Sequence, residues 1–423
     1  MIDPTPWAGL MLGLLLLWPG YNLALTVFAW WRPRPTRLAA AVPGAVSFWI
    51  VIPALNEERV VAATVRSALA LDRPDTPLRV LVVDDGSDDA TPDILDDIID
   101  PRLHVLRRDP PRARTGKGEA LNAAFRYIRA ESRRDGSYDR CVLGVIDGDG
   151  RGTPGMLGEI VRYFADPTVA GVQCRVRIHN RDRLLAFLQD LEFSCVADAA
   201  QSMRDPLGSA ELGGNGQFVR LRSLDRLGPS PWSRCLVEDL ELGLRLHLAG
   251  ERIRYASHVT ITQQGLVDVP RMIRQRTRWS QGNLQCLRYV PRLVACPAVS
   301  GPALLEFLYY LLTPWLIAPL SIVVAGMVGL TLVGLTGLLG ATPGLPALAL
   351  WLVAFVLPGL LWGLVHRLRH GDEPLHRTLL VGLIYPVFLL IGVVAAWRAL
   401  GRHLSGRHTW AKTDRLVEEP EPV

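Results

Sequence analysis

The 423-residue sequence predicts an α/β domain built on a mainly parallel sheet, joined to a helical membrane region. Three observations lead there. Between residues 45 and 265, short aliphatic runs alternate with helix-patterned segments, the pattern of βαβ units. Long apolar stretches lie outside that region, at 8–31 and beyond 303. Finally, the chain is 49% hydrophobic yet 21% charged, so the two kinds of residue must be segregated along it.

Taken in order, residues 8–31 are long enough to span a bilayer, which needs roughly 20 apolar residues. Arg32, Arg34 and Arg37 follow directly, so the positive-inside rule puts the N-terminus outside and the chain from about residue 40 in the cytosol. Strands are expected at 47–53, 78–85, 102–106, 140–147 and 169–176, with helices near 58–71, 90–99, 117–131 and 154–165. From Val269 to Tyr289 the pattern turns basic and aromatic at helical spacing, with Arg271, Arg274 and Arg278 as one stripe, and reads as an interfacial amphipathic helix. Residues 346–365 and 378–397 are one span each. Residues 303–338 are either one tilted span or a hairpin broken between Thr313-Pro314 and Pro319; the hairpin, giving five spans in all, is the expectation adopted. The expected division is a membrane helix at 1–40, a catalytic domain at 41–268, interfacial helices at 269–302, membrane helices at 303–398 and a cytosolic tail at 399–423.

Composition also excludes classes. The six cysteines form no CxxC pair, so zinc-ribbon and dithiol redox motifs are absent. A net charge of +5 fits a basic face toward a membrane better than a nucleic-acid surface, because the arginines crowd next to apolar segments. Of the 46 basic residues only Lys117 and Lys412 are lysines. A chain this biased toward arginine retains lysine where a compact point charge matters more than a planar fork.

Candidate chemistry sits where strands end, since ligands of open α/β sheets bind beyond the carboxyl ends of the strands. Asp84 and Asp85 close the second strand ahead of Gly86-Ser87 and can accept from a nucleobase and a ribose, or cap the next helix. Asp147 and Asp149 have DxD spacing between glycines, two hard oxygen ligands suited to Mg²⁺ or Mn²⁺ on a diphosphate. Lys117, glycine-flanked at a helix start, offers an ammonium to an anion. Glu238-Asp239 open a helix, either as caps or, in Asp239, as a general base. Gln275, Arg278 and Trp279 share a helical face, a fork for phosphate beside a flat ring for a sugar.

The order "PALNEE", "DDGS", "GKGEALN", "DGDG", "GGNGQF", "VED" and "QRTRW" (QxxRW) resembles the family 2 membrane glycosyltransferases, the branch of the cellulose, chitin, hyaluronan and poly-N-acetylglucosamine synthases. That resemblance implies a GT-A-like, Rossmann-like mixed-sheet domain and a nucleoside-diphosphate sugar donor, with UDP favoured. It assigns Pro53, Asn56, Glu57, Asp84, Asp85, Lys117 and Asp147 to the donor, and Asp147 with Asp149 to the metal. Asp239 becomes the catalytic base, with Glu238 beside it as a catalytic residue, and Gln275, Arg278 and Trp279 bind acceptor and diphosphate. Trp410, Thr413 and Arg415 resemble a tail segment that closes over the nucleotide, which requires a cytosolic tail. The activity implied is inverting hexosyl transfer by a metal-dependent, multi-pass enzyme of the cell membrane. It either extends a β-linked polysaccharide coupled to its translocation or adds one or a few sugars to a lipid; an inactive nucleotide-binding scaffold is the remaining reading. The partners expected are the nucleotide sugar, a growing glycan or lipid acceptor and the membrane, with a second copy or an accessory export protein and no nucleic acid.

Overall fold

The computed structural model describes residues 19–30, 44, 46–71, 76–335 and 349–406. Eight strands form one mixed sheet in the order β3-β2-β1-β4-β7-β6-β8-β5. They are β1 Ser47–Ala54, β2 Leu78–Asp84, β3 Leu103–Arg107, β4 Cys141–Val145, β5 Arg151–Gly152, β6 Val169–Ile178, β7 Gln217–Arg220 and β8 Arg252–Gln263. β3, β2, β1 and β4 run parallel, with Ile50 level with Val80 and Gly144. β7 then runs antiparallel between β4 and β6, and β8 is parallel to β6. The aliphatic strings of β1 and β2 are buried on both faces, as a central parallel strand must be when helices cover each side.

The helices are α1 (19–30), α2 Val61–Leu69, α3 Thr91–Asp96, α4 Lys117–Arg134, α5 Met156–Tyr163, α6 Leu184–Leu191, α7 Asp198–Leu207, α8 Leu221–Arg226, α9 Glu238–Leu248, α10 Val269–Cys286, α11 Val290–Ala295, α12 Gly301–Leu335, α13 Leu357–His370 and α14 Leu375–Leu404. One face of the sheet packs α2 and α5 through Val65, Leu157 and Ile160; the other packs α4 through Leu121, Phe125 and Ile128. Between α6 and α7 the chain widens into a π-helical turn, Glu192–Ala197.

Among the described residues, three helices are long and apolar enough to cross a membrane: Gly301–Val333, Ala349–His370 and Leu375–Leu404. The hairpin expected at Thr313-Pro314 is not formed. α12 is a single 35-residue helix with Pro314 and Pro319 inside it, so the five-span count loses one span. Proline is tolerated inside helices of this apolar kind; beside the two prolines Thr313 Oγ1 donates to Tyr309 O at 2.6 Å and Ser321 Oγ to Ala318 O at 2.6 Å.

α13 and α14 cross tightly. A Cβ on Gly363 would stand 2.3 Å from Thr378 O, and one on Gly359 2.2 Å from Gly382 O, the small-residue contact by which membrane helices approach. Gly363→Ala should therefore destabilise the protein by roughly 1–3 kcal/mol as an overpacking change. Gly401→Ala, whose Cβ would meet nothing within 4 Å, should be neutral or stabilising by up to ~1 kcal/mol through helix propensity. Melting temperatures in detergent, with opposite signs for the two variants, check this.

The helices are fastened to the sheet domain by ion pairs. Asp372, in the α13–α14 turn, lies 2.6 Å from Arg181 and 2.9 Å from Arg177. His366 and Arg369 reach Asp190 and Asp198, at 2.9 and 2.8 Å. At the other end of α14, Arg402 Nε donates to Gln281 Oε1 on α10 at 3.1 Å. Both ends of α14 thus lie against the α/β domain and its α10.

Candidate active site

The carboxyl ends of β1 and β4, the glycine loop before β7, the start of α9 and one face of α10 surround a cavity of about 660 Å³. Its floor is ionic. Lys117 Nζ donates to Asp147 Oδ1 at 2.6 Å and lies 3.7 Å from Glu238 Oε1, tying α4, the turn after β4 and α9 together. Burial opposes the ammonium, but Asp147, Glu238 and Asp239 outweigh it and hold the Lys117 pKa above its ordinary value. Burial pushes Glu238 up to about 7 and moves Asp239 upward too, with Lys117 pulling both back. Asp239 lies in the first turn of α9, its Oδ1 accepting from Leu240 N–H at 2.8 Å, and a Cβ on Gly214 (φ +75°) would come 2.7 Å from its Oδ2. The glycine loop is therefore as close to Asp239 as a backbone without side chains permits.

Most expected residues converge here. Pro53, Glu57 and Asp85, expected to hold the nucleoside, line the cavity, and so do Gln275, Arg278 and Trp279. Arg108 pairs with Asp85, whose pKa burial nonetheless raises. Two assigned residues stand back from the cavity wall. Asn56 (φ +53°) joins two loops, its N–H donating to Ser87 Oγ at 2.9 Å and its Nδ2 to Asp88 Oδ1 at 2.6 Å. Asp84 is buried and accepts from Ser87 N–H at 2.9 Å, which is turn-building work. Nor do the α10 arginines form one membrane-facing stripe. Arg278 turns inward and donates to Leu236 O at 3.0 Å, clamping the segment that delivers Glu238-Asp239, and Arg271 pairs with Asp268. Trp410, Thr413 and Arg415 lie outside the described residues.

Asp147 and Asp149 both line the cavity, but their carboxylates are engaged separately: Asp149 Oδ2 accepts from Gln264 N–H at 3.1 Å. No group of three or more His, Cys, Asp or Glu among the described residues is arranged to hold a metal ion. Two hard oxygen donors with substrate oxygens to complete the shell nevertheless fit Mg²⁺ or Mn²⁺, on condition that Lys117 releases Asp147.

Sequence reasoning missed a second charged group on the cavity wall. Arg204 on α7 pairs with Glu211 at 3.0 Å and with Glu306 on α12 at 3.2 Å, and Tyr21 on α1 reaches Glu306 at 3.4 Å. Beyond it the wall is apolar: Leu25, Met272, Ile317, Phe388, Leu389 and Ile391.

Residues 43–282 match the glycosyltransferase-like family 2. The chain belongs to that family. Over 274 residues, 63% of this chain, the family 2 chain is 31% identical to a beta-monoglucosyldiacylglycerol synthase of Synechocystis. Over 242 residues it is 30% identical to the probable glycosyltransferase YdaM of Bacillus subtilis, covering 55% of this chain. It spans about half the length of these curated relatives, 54% in each case. The fold is also that of a mannosyltransferase from Pyrobaculum calidifontis solved with GDP-mannose and Mn²⁺, with a TM-score of 0.61 at 17% identity over 94% of this chain and 99% of that one. The domain is thus GT-A-like, with a Rossmann-like mixed sheet.

One kinetic consequence of this family 2 site follows from its carboxylate pair. A base whose neighbourhood raises its pKa is protonated, and silent, below that value. If Asp239 is the base, as proposed below, the acid limb of kcat/KM should lie above the ordinary carboxylate range, because burial raises Asp239 together with its neighbour Glu238. A pH profile of initial rates checks it.

Proposed function

We propose that the protein is an inverting hexosyltransferase of the cell membrane that moves one or a few sugars from a nucleoside-diphosphate sugar to a membrane lipid. The observation that carries this reading is one cavity that is ionic at Lys117, Asp147 and Asp239 and apolar at Ile317, Phe388 and Ile391. Such a space suits a polar donor meeting an acceptor with hydrocarbon attached, whereas a translocating polysaccharide calls for hydroxyl-binding walls along its whole path. The relative named as a glucosyldiacylglycerol synthase points the same way.

In this mechanism Pro53, Glu57 and Asp85 seat the nucleoside, and Asp147 and Asp149 would hold a divalent ion whose charge offsets that of the diphosphate. Asp239 takes the proton of the acceptor hydroxyl while its oxygen bonds to the anomeric carbon and the bond to the leaving diphosphate breaks. Lys117 and Arg278 face the charge that accumulates on the leaving group. The α/β domain is placed on the cytosolic side, where nucleotide sugars are found, and UDP is the favoured nucleotide.

The test uses the full chain in phospholipid nanodiscs with radiolabelled UDP-glucose, UDP-galactose, UDP-N-acetylglucosamine or GDP-mannose, followed by organic extraction. One discrete labelled glycolipid in the organic phase is expected. A ladder of water-soluble polymer would show the polysaccharide reading to be right instead.

A further inference from the structure

The charged group midway along the cavity has no part in the reaction above. Arg204 is 5% exposed, and its guanidinium spends Nη1 on Glu211 and Nε on Glu306 while lying 5.0 Å over the ring of Tyr310. Glu211, also 5% exposed, is fixed by the amide of Gln201. The N–H of Glu211 donates to Gln201 Oε1 at 3.1 Å, and Gln201 Nε2 donates to Glu211 O at 2.9 Å. Arg276 is spent in the same way: it donates twice to Glu192 and lies 4.5 Å over Trp279.

Among the described residues, nine carboxylates and four cations line the cavity. Two of the cations, Lys117 and Arg278, stand at the end where a diphosphate departs. The other two, Arg204 and Arg276, are neutralised by carboxylates of the fold itself on the side toward the membrane helices. Sites that take a phosphate present a guanidinium fork to it. Here the Arg276 fork is filled by Glu192, and Arg204 already gives Nη1 to Glu211 and Nε to Glu306.

We infer that the acceptor is an uncharged lipid alcohol and not a lipid phosphate, with the Arg204–Glu211 pair as the group that sets this choice. A hydroxyl can donate to the surplus carboxylates, as Asp239 requires of it. A phosphate monoester would add its charge to theirs in a space shielded from water, where like charges repel most strongly. The inference rests on the lipid-acceptor reading and refines it.

The experiment offers the full-length protein phosphatidylcholine vesicles that hold equal mole fractions of dioleoylglycerol or of a polyprenyl phosphate, with the labelled donors above. Transfer to dioleoylglycerol should exceed transfer to the polyprenyl phosphate by at least ~10-fold, as expected when a like charge is excluded. Glu211→Gln removes one carboxylate from beside Arg204 and should narrow that ratio several-fold while increasing inhibition by phosphatidic acid. Equal or better use of the polyprenyl phosphate by the unaltered protein would overturn the inference. So would an unchanged ratio in a Glu211→Gln protein with an unaltered melting temperature. Soluble polymer with no lipid-linked label would instead overturn the underlying lipid-transfer reading, and the two failures are separated by where the label partitions.

Discussion

Replacing Asp239 with asparagine should lower kcat by roughly 10²–10⁴-fold, the usual contribution of a positioned general base. The amide keeps the shape and can still accept from Leu240 N–H, the contact that Asp239 Oδ1 makes at 2.8 Å, so α9 should start as before. What is lost is a group able to take the acceptor's proton. Burial strengthens the argument, because it raises the basicity of the Asp239 carboxylate relative to an exposed one. Donor binding should persist, since the residues proposed to seat the nucleoside, Pro53, Glu57 and Asp85, are unchanged in the same cavity. Titration of UDP binding alongside single-turnover transfer separates the two effects. Unimpaired turnover in the variant would remove Asp239 from the role of base.

Lys117→Met should cost about 10²–10³-fold in kcat, comparable to losing one preorganised donor to a developing anion. Two effects act together. The leaving diphosphate loses an ammonium, and Glu238 and Asp239 lose the cation that partly offsets the effect of their burial. With that cation gone, the Glu238–Asp239 pair holds its proton more tightly, so the acid limb of the pH profile should move upward. Lys117→Arg should not rescue. The next residue, Gly118, packs so closely that a Cβ there would stand 2.3 Å from Ser233 O, and the Lys117 ammonium is already 3.4 Å from where a Gly214 Cβ would be. A planar guanidinium, bulkier than an ammonium, has no room to replace a point charge. Steady-state rates and pH profiles of the two variants check both statements.

How much of this was legible in the sequence depended on whether the signal was local. β1, β2 and β4 could be read because a strand buried on both faces is a string of aliphatics. β7 could not, being four residues, Gln217–Arg220, that follow a glycine loop and hydrogen-bond only to strands far away in sequence. β8 has twelve residues but alternates polar with apolar, and its partner β6 lies across several intervening helices. The same rule holds in the site. Lys117, Asp147 and Asp239 announced themselves through glycines and spacing, and the structure brings them into one cavity. Arg204 carried no such mark, because its meaning lies in Glu306, 102 residues further on. The prolines of α12 misled for a physical reason: they tend to break helices in water, where freed carbonyls find solvent, but are tolerated inside a long apolar helix such as this one.

The anchoring of α14 at both ends bears on how the enzyme meets its acceptor. At 30 residues the helix is ~45 Å long, against a hydrocarbon thickness of ~30 Å, and it is tied at one end to the sheet domain and at the other to α10. Leu380, Leu383, Val387, Leu390 and Val394 form its exposed row, each at least 44% accessible. On the proposed reading that row keeps the cavity mouth level with the leaflet, and the acceptor arrives by lateral diffusion in two dimensions without ever entering water. Saturation should then follow the acceptor's mole fraction among the surrounding lipids. Adding inert phosphatidylcholine at constant bulk acceptor should slow transfer through surface dilution alone.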